Sequence, residues 1–505
     1  MEEIQGNVIP GFNKNHVRLL FLRIDDPAFA KQWITRICPS VATGAEVWAF
    51  NRLLKDARDR RGFGGMPKAT WINIAFSYGA LEKLVGAEVN QFTDEAFRDS
   101  TKRSKADWVI GGQDSAADIV LIIAADDPDD LNATVRRMKE DVGDPDRETS
   151  SGVHVVFEQE GATRKGEMRG HEHFGWSDGV SQPGLRGRLS DAPEDVLTPR
   201  VGDDPHQGLP GQDLIWPGEF VFGYSGQDQH RPVEAEGRNS LGRRGKPAAP
   251  SWAKDGSYLV FRRLRQNVGA FHRFLYEEGR RHGVRPEALG ARLVGRWPSG
   301  APLVLAPLTD DPALGADKQA NNKFEFGAAD DDDGRKVPRD PDGLSCPFSA
   351  HIRKTYPRDE TVAHGDLNPY RDLPDRTLNE SDTQTHRLLR RGIAYGPSSQ
   401  STPEKPVEDA IDRGLLFMAY MTSIKDQFEF VSTRWLNDAN FKRTATGVDP
   451  ILGQVRGTDQ RGSITTVLPN QTNTVEIGLE EWVTTTGGGY FFAPSISALR
   501  DHLAS

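Results

Sequence analysis

A chain of 505 residues is too long for one ordinary core and points to two domains, and its 36% hydrophobic and 27% charged composition is that of a folded protein rather than a disordered one. Lys and Arg total 63 against 73 Asp and Glu, and the resulting net charge of −10 sets aside nucleic acid or an anionic membrane as the main partner. With only Cys38 and Cys346, an acidic start and no apolar run near the ~18 residues of a membrane span, the expectation is a cytoplasmic protein without disulfides.

In chain order, His16–Ile24 is apolar and β-branched enough to be a strand. Asp25-Asp26-Pro27 supplies a helix cap with proline in the first turn, and Ala28–Ile37 continues as a helix. Further strands are predicted at Thr70–Ser77, at Asp118–Pro128 with a helix behind it, and at Val153–Gln159. The same order returns later. Ser257–Leu264 is a strand followed by a helix through Asn267, Phe271, Phe274 and Leu275, and strands follow at Leu388–Tyr395, Leu415–Ser423 and Gly489–Ala493. Each half then reads strand, helix, strand, strand, helix, strand, a duplicated ferredoxin-like α+β pattern with antiparallel sheets. Recurrent βα units in an ordinary α/β protein would give a similar spacing. The expected boundaries are residues 1–188, a Gly/Pro/Asp-rich connector over 189–251, and 252–505 with an irregular insertion over about 301–385.

Three segments carry candidate chemistry. In His171-Glu-His173-Phe-Gly175-Trp-Ser-Asp178-Gly179-Val180-Ser181, glycines around Asp178 let the backbone approach a ligand, while Phe174 and Trp176 would exclude water and raise the basicity of the carboxylate. A plain Asp-Gly turn is the competing reading, and His171 and His173 are either a metal pair or ordinary structural residues. In Cys346-Pro-Phe-Ser-Ala-His351-Ile-Arg353-Lys-Thr-Tyr356-Pro-Arg358, an imidazole among small and apolar residues with cations behind it suits a metal ligand beside an anionic cofactor; a structural histidine before a solvated basic run fits equally. The acidic run Asp330–Asp333 lacks the EF-hand order of ligands and reads as a solvated loop. In Thr385–Gly396, alternation puts His386, Leu388 and Arg390 on one face, and an inward Arg390 would need an anionic partner or a reacting oxyanion.

Together these segments resemble the dye-decolorizing peroxidase family. Gly175-Trp-Ser-Asp178-Gly179 matches its Gly-x-x-Asp-Gly signature, Cys346–Arg353 its Cys-Pro-Phe-x-x-His-Ile-Arg stretch, and Arg391-Gly-Ile-Ala394-Tyr-Gly its Arg-Gly-Ile-Pro-Tyr-Gly stretch with Ala394 replacing proline. Ile4-Gln-Gly-Asn-Val8 and Gly218-Glu-Phe-Val-Phe-Gly-Tyr224 extend the likeness over essentially the whole chain, and the length is that of the longer bacterial members. The resemblance implies one haem b per chain between the sheet and helices of the C-terminal half, ligated through His351. Asp178 would be the distal acid/base and Arg390 the distal cation. Gly179, Val180, Ser181, Arg353, Tyr356, Arg358 and Arg390 would line the cofactor, and Asp438 of Trp435-Leu-Asn-Asp438 would orient His351. It implies reduction of hydrogen peroxide with an aromatic donor, activity favouring acid, and a monomer or homodimer. A haem-handling, deferrochelatase-like protein and a non-haem metal protein built on His171 and His173 are the rival readings.

Overall fold

Apolar residues alternate along each long strand, and that alternation decides which face of the sheet meets which core. The computed structural model describes residues 1–505 apart from 60–65, 100–105, 113–114, 143–151, 190, 193, 228–246, 329–336, 361–382, 444, 455–462 and 469–473, so the Asp330–Asp333 run lies outside the described residues. The first half runs β1 (His16–Ile24), α1 (Pro27–Ile37), α2 (Gly44–Asp59), β2 (Thr70–Phe76), α3 (Tyr78–Val85), α4 (Glu95–Arg98), β3 (Ile119–Ala125), α5 (Pro128–Val142) and β4 (Val153–Ala162). As the sequence predicts, Asp26 caps α1 by accepting the Ala28 amide, and α1 buries Trp33, Ile34 and Ile37. Leu131, Val135, Met138 and Val142 form the buried stripe of α5.

Two short strands, β5 (Gly184–Leu185) and β6 (Leu214–Ile215), pair in parallel before the second half. That half holds β7 (Ser257–Gln266), α6 (Val268–His282), α7 (Pro286–Val294), α8 (Pro312–Ala316), α9 (His351–Thr355), β8 (Leu389–Arg390), β9 (Ile393–Tyr395), β10 (Gly414–Met421), β11 (Ser463–Val467), β12 (Thr474–Gly478) and β13 (Val483–Ala493). Among the described residues the main sheet has nine strands in the order β4-β1-β3-β2-β13-β7-β10-β8, with β9 also on β10. Each half therefore has its fourth strand beside its first, then its third, then its second, the antiparallel ferredoxin-like order.

Two predicted strands differ most in extent. Leu388–Tyr395 is broken into β8 and β9 at Arg391-Gly392, and β13 runs eleven residues where only its last five were predicted. Gly487 and Gly488 mask the front of β13 because glycine has low strand propensity, and the register shifts there, between Thr485 and Gly487.

The halves meet where Phe76 of β2 pairs with Phe492 of β13. At the opposite seam Gly161 of β4 comes so close to β9 that a Cβ there would lie 2.7 Å from Ile393 Cγ2 and 3.3 Å from the Ala394 carbonyl. The sheet thus rolls into a barrel. Phe21 sits inside it with ring centroids 5.1 Å from Phe261, 6.0 Å from Phe157 and 6.4 Å from Phe491. Leu20, Leu22 and Ile24 face outward into the helical core of the first half. On β10, Leu416, Met418 and Tyr420 point inward, while Leu415 and Phe417 point outward to the cavity described below. Among the described residues no helix is long and apolar enough to cross a membrane.

Because Phe21 is fully buried among three aromatic rings, Phe21→Ala should lower unfolding free energy by about 3–5 kcal/mol. Urea unfolding read by far-UV dichroism measures it, and a loss below about 1 kcal/mol would mean that the barrel interior collapses onto the gap.

Candidate active site

The outward face of β7 and β10, through Leu264, Leu415 and Phe417, walls a cavity of about 1470 Å³. Described residues of the insertion, among them Phe324, Phe326 and Tyr356, and the loop after β4 line its other walls. His351, the opening residue of α9, lines this cavity, and its Nδ1 donates to Asp449 Oδ2 at 2.8 Å. The Asp449 side chain is fully buried, and its other oxygen accepts the amides of Ile451 (2.9 Å) and Leu452 (2.6 Å). Burial alone would depress the imidazole, but the Asp449 charge and hydrogen bond outweigh it and hold the His351 pKa above its ordinary value. Burial would likewise raise Asp449, and the facing imidazole with the two amides holds it below the usual carboxylate range. With the proton fixed on Nδ1, Nε2 keeps a lone pair for a metal.

Asp449, not the expected Asp438, is thus the carboxylate on His351. Asp438 spends its Oδ1 on the Asn440 amide (2.8 Å), and its carbonyl accepts Lys354 Nζ (2.7 Å). It lies two residues past the helical segment Val431–Leu436 instead of facing the imidazole. Nothing local marks Asp449 apart from the turn signal of Gly447-Val-Asp449-Pro.

Asp178 and Arg390, which line the same cavity, converge, with Arg390 Nη1 3.7 Å from Asp178 Oδ1. The turn is built on Gly175 (φ 99°) and Gly179 (φ 73°), both left-handed, and Asp178 Oδ1 accepts the Gly179 amide at 2.7 Å. Arg390 Nη2 donates to the Ser181 carbonyl at 2.5 Å, and Gln182 bonds both the amide and the carbonyl of Arg390 at 3.3 Å. His386, Leu388 and Arg390 all line the cavity, but so do Arg387 and Arg391, and only Leu389 and Arg390 of the 385–391 stretch are in ladder geometry, so strand alternation does not sort them.

Phe174 and Trp176 play a different part from the one expected. Both are 3% exposed and pack on Phe271, Phe174 tilted and Trp176 edge-on, with Trp176 Nε1 donating to the Arg296 carbonyl, so they anchor the loop, while the Asp178 side chain stays 40% exposed. Sequence reasoning passed over Glu172. Its carboxylate accepts the amides of Phe174 (2.7 Å) and Trp176 (2.9 Å) and the Gln266 side chain, and burial pushes it up to about 7. The two histidines separate: His173 is buried against the Tyr395 carbonyl (2.8 Å), His171 turns to the Arg169 carbonyl (3.2 Å), and no group of three metal-ligating side chains occurs among the described residues.

Gly179, Val180, Ser181, Tyr356 and Arg358 line the cavity; Arg353 does not. Two residues along a helix is about 200° of rotation, so Arg353 faces away from His351 while Thr355, four residues on, shares its face. Arg353 is fully buried, with Glu360 at 2.8 Å, Asp340 at 3.3 Å and the Cys346 carbonyl at 2.6 Å, and Lys442 joins it on Glu360. Against burial, Lys442 and Arg353 hold Glu360 below the usual carboxylate range. Tyr356 donates to Asp213, and Arg387 lies 3.5 Å over its ring. Arg358 donates to the carbonyls of Phe324 (2.6 Å) and Asn322 (3.2 Å), and Arg296 shares Asn322 Oδ1 with it. Burial, then the Arg358 charge, pull Arg296 down to about 9. A large apolar cavity, an imidazole with Nε2 available and desolvated guanidinium groups at its rim suit the planar, anionic, metal-bearing haem that the motifs imply.

The chain is similar to known proteins along essentially its whole length. A family model described as the DyP dimeric alpha+beta barrel domain matches residues 3–165. A dye-decolorizing peroxidase of Mycena epipterygia is 32% identical over 523 residues, covering 99% of this chain and 86% of the relative. The multifunctional dye peroxidase DyP2 of an Amycolatopsis strain is 28% identical over 528 residues, covering 99% and 95%. The crystal structure of a fungal DyP-type peroxidase from Auricularia auricula-judae matches with a TM-score of 0.75 at 31% identity over 100% of this chain and 99% of that one.

Removing one partner of a buried ion network strands the others, so Arg353→Leu should cost about 3–5 kcal/mol of stability. Chemical denaturation of the variant beside the parent measures this; an unchanged midpoint would mean that water reaches Glu360 and Asp340.

Proposed function

We propose, for a chain that belongs to the dye-decolorizing peroxidase family and is a haem peroxidase, that Asp178 and Arg390 perform its distal chemistry on hydrogen peroxide while His351 holds one haem b per chain. The observation that carries this reading is the 3.7 Å approach of Arg390 to Asp178 in the cavity that His351 also lines. In this reading the unit 1–188 delivers Asp178, the unit 252–505 delivers His351 and Arg390, and 189–251 joins them. The electrons come from aromatic donors such as dyes and phenols. When bound, haem would supply the metal site for peroxide and would hold the oxidising equivalents until the donors reduce it.

The protein's own groups divide the remaining work. Asp178 Oδ1 is held by the Gly179 amide and the Arg390 charge, which leaves Oδ2 to take a proton from hydrogen peroxide and return it to the oxygen departing as water. Arg390 spends Nη2 on Ser181, so Nη1 stays fixed beside Asp178 and stabilises negative charge developing on the peroxide. Asp449 keeps the His351 proton on Nδ1 and makes Nε2 a stronger donor. Tyr356 and Arg358 form part of the cofactor wall. A carboxylate base stays ionised at pH values where an imidazole base is already protonated, and this reading therefore has activity favouring acid.

Asp178→Asn should slow reaction with peroxide by about 10²–10⁴-fold and Arg390→Leu by about 10²–10³-fold. The double variant should lose less than the product of the two, because both groups serve one transition state. Stopped-flow mixing with hydrogen peroxide decides it; parent rates in both single variants would replace this reading with a haem-handling, deferrochelatase-like one. On the other side, His351→Ala should lose haem, whereas Asp449→Asn should keep it with a raised reduction potential and Asp438→Asn should leave the potential at the parent value. Potentiometric titration of the haem band checks this, and a potential unmoved in Asp449→Asn would rule that carboxylate out.

A further inference from the structure

The Ile4-Gln-Gly-Asn-Val8 motif touches none of the reacting groups, yet it grips the backbone that presents Arg390. Strand β8 is two residues long and pairs with β10 only at Leu389 and Arg390, too little ladder to fix an edge segment by itself. The next residue, Arg391, adds one further backbone bond, its amide donating to the Met418 carbonyl of β10 at 2.7 Å, and then ties the segment down through its side chain. Its Nε donates to the Asn7 carbonyl at 3.0 Å, Nη2 to the carbonyls of Val8 (2.9 Å) and Pro10 (3.0 Å), and Nη1 to the carbonyl of Arg390 itself at 2.9 Å. Among the described residues no carboxylate pairs with Arg391, so it is held by backbone dipoles through its planar fork. Gly11, with a left-handed φ of 103°, lies so close that any Cβ there would strike the guanidinium.

The motif is itself anchored to both halves. Gln5 is buried, donating to the carbonyls of Ile74 (2.9 Å) and Pro494 (2.8 Å) and accepting the Ile74 amide (2.8 Å), which bridges β2 and the end of β13 where the two halves share a single backbone pair. The Asn7 amide donates to Asn73 Oδ1, its Nδ2 donates to the Tyr420 hydroxyl at 3.1 Å, and its Oδ1 accepts the Phe12 amide.

We propose that Gln5–Pro10 is a strap that sets the position of the distal cation, with Arg391 as the positioning residue through which it acts on Arg390. This rests on the role given to Arg390 above. Lysine at 391 would keep the charge and lose the fork that spans four carbonyls. The test uses the haem-loaded protein and reads two quantities: the rate with hydrogen peroxide and the affinity for fluoride, an anion probe that a nearby guanidinium favours. Arg391→Lys should lower both by roughly 10–100-fold, the scale of a small misplacement of a reacting group. In an Arg390→Leu background it should change them by less than about twofold. Haem content should stay at the parent level. Equal losses in both backgrounds, or no loss in the parent background, would overturn the proposal. Should Arg391→Lys fail to fold, Asn7→Ala releases the strap at its other end and is read in the same two backgrounds with the same expectations. If Arg390→Leu itself reacts at the parent rate, the role of Arg390 falls; if Arg390→Leu is slow while Arg391→Lys and Asn7→Ala are not, only the strap falls.

Discussion

Closing the sheet into a barrel forces every strand of the second half to satisfy two environments at once, and the site depends on that constraint. Inside, Phe21, Phe261 and Phe491 fill the barrel. Outside, the same strands β7 and β10 offer Leu264, Leu415 and Phe417 as an apolar wall. A one-residue slip would exchange the two sets, so the aromatic interior also fixes which side chains the cavity receives. The rigid wall lets groups delivered by loops meet with defined geometry.

Charge is handled differently on the two sides of α9. Behind it, Arg353 with Glu360, Asp340 and Lys442 forms a closed network of opposite charges that anchors the insertion carrying His351. Toward the cavity, Arg296 and Arg358 are held by carbonyls and one amide oxygen, so their charge is not cancelled where it faces the cavity. Desolvated cations without a carboxylate have a standing preference for an anionic ligand. The same helix thereby separates a stabilising interaction from a binding one.

Backbone groups do much of the positioning. Glu172 and the glycines at 175 and 179 hold the Asp178 turn, Gln182 clasps the Arg390 peptide from one side, and Arg391 ties it to the N-terminal segment from the other. A short edge strand can present a reacting group because side chains from distant segments complete its hydrogen bonding.

The sequence by itself determined what is set within a few residues. Period-two strands, the Asp26 helix cap and the glycine turn around Asp178 are local, and the motif resemblance put His351 with Asp178. The tertiary structure decided the rest. Arg353 turns away because a helix rotates it there, β13 begins six residues early because its partner β7 pairs even with glycines, and Asp449 in place of Asp438 reaches His351 because the fold brings together residues 98 apart in the chain. Which carboxylate meets an imidazole is a question of distance in space. Local patterns encode conformation, whereas the pairing of buried charges depends on how segments far apart in the chain are folded against one another.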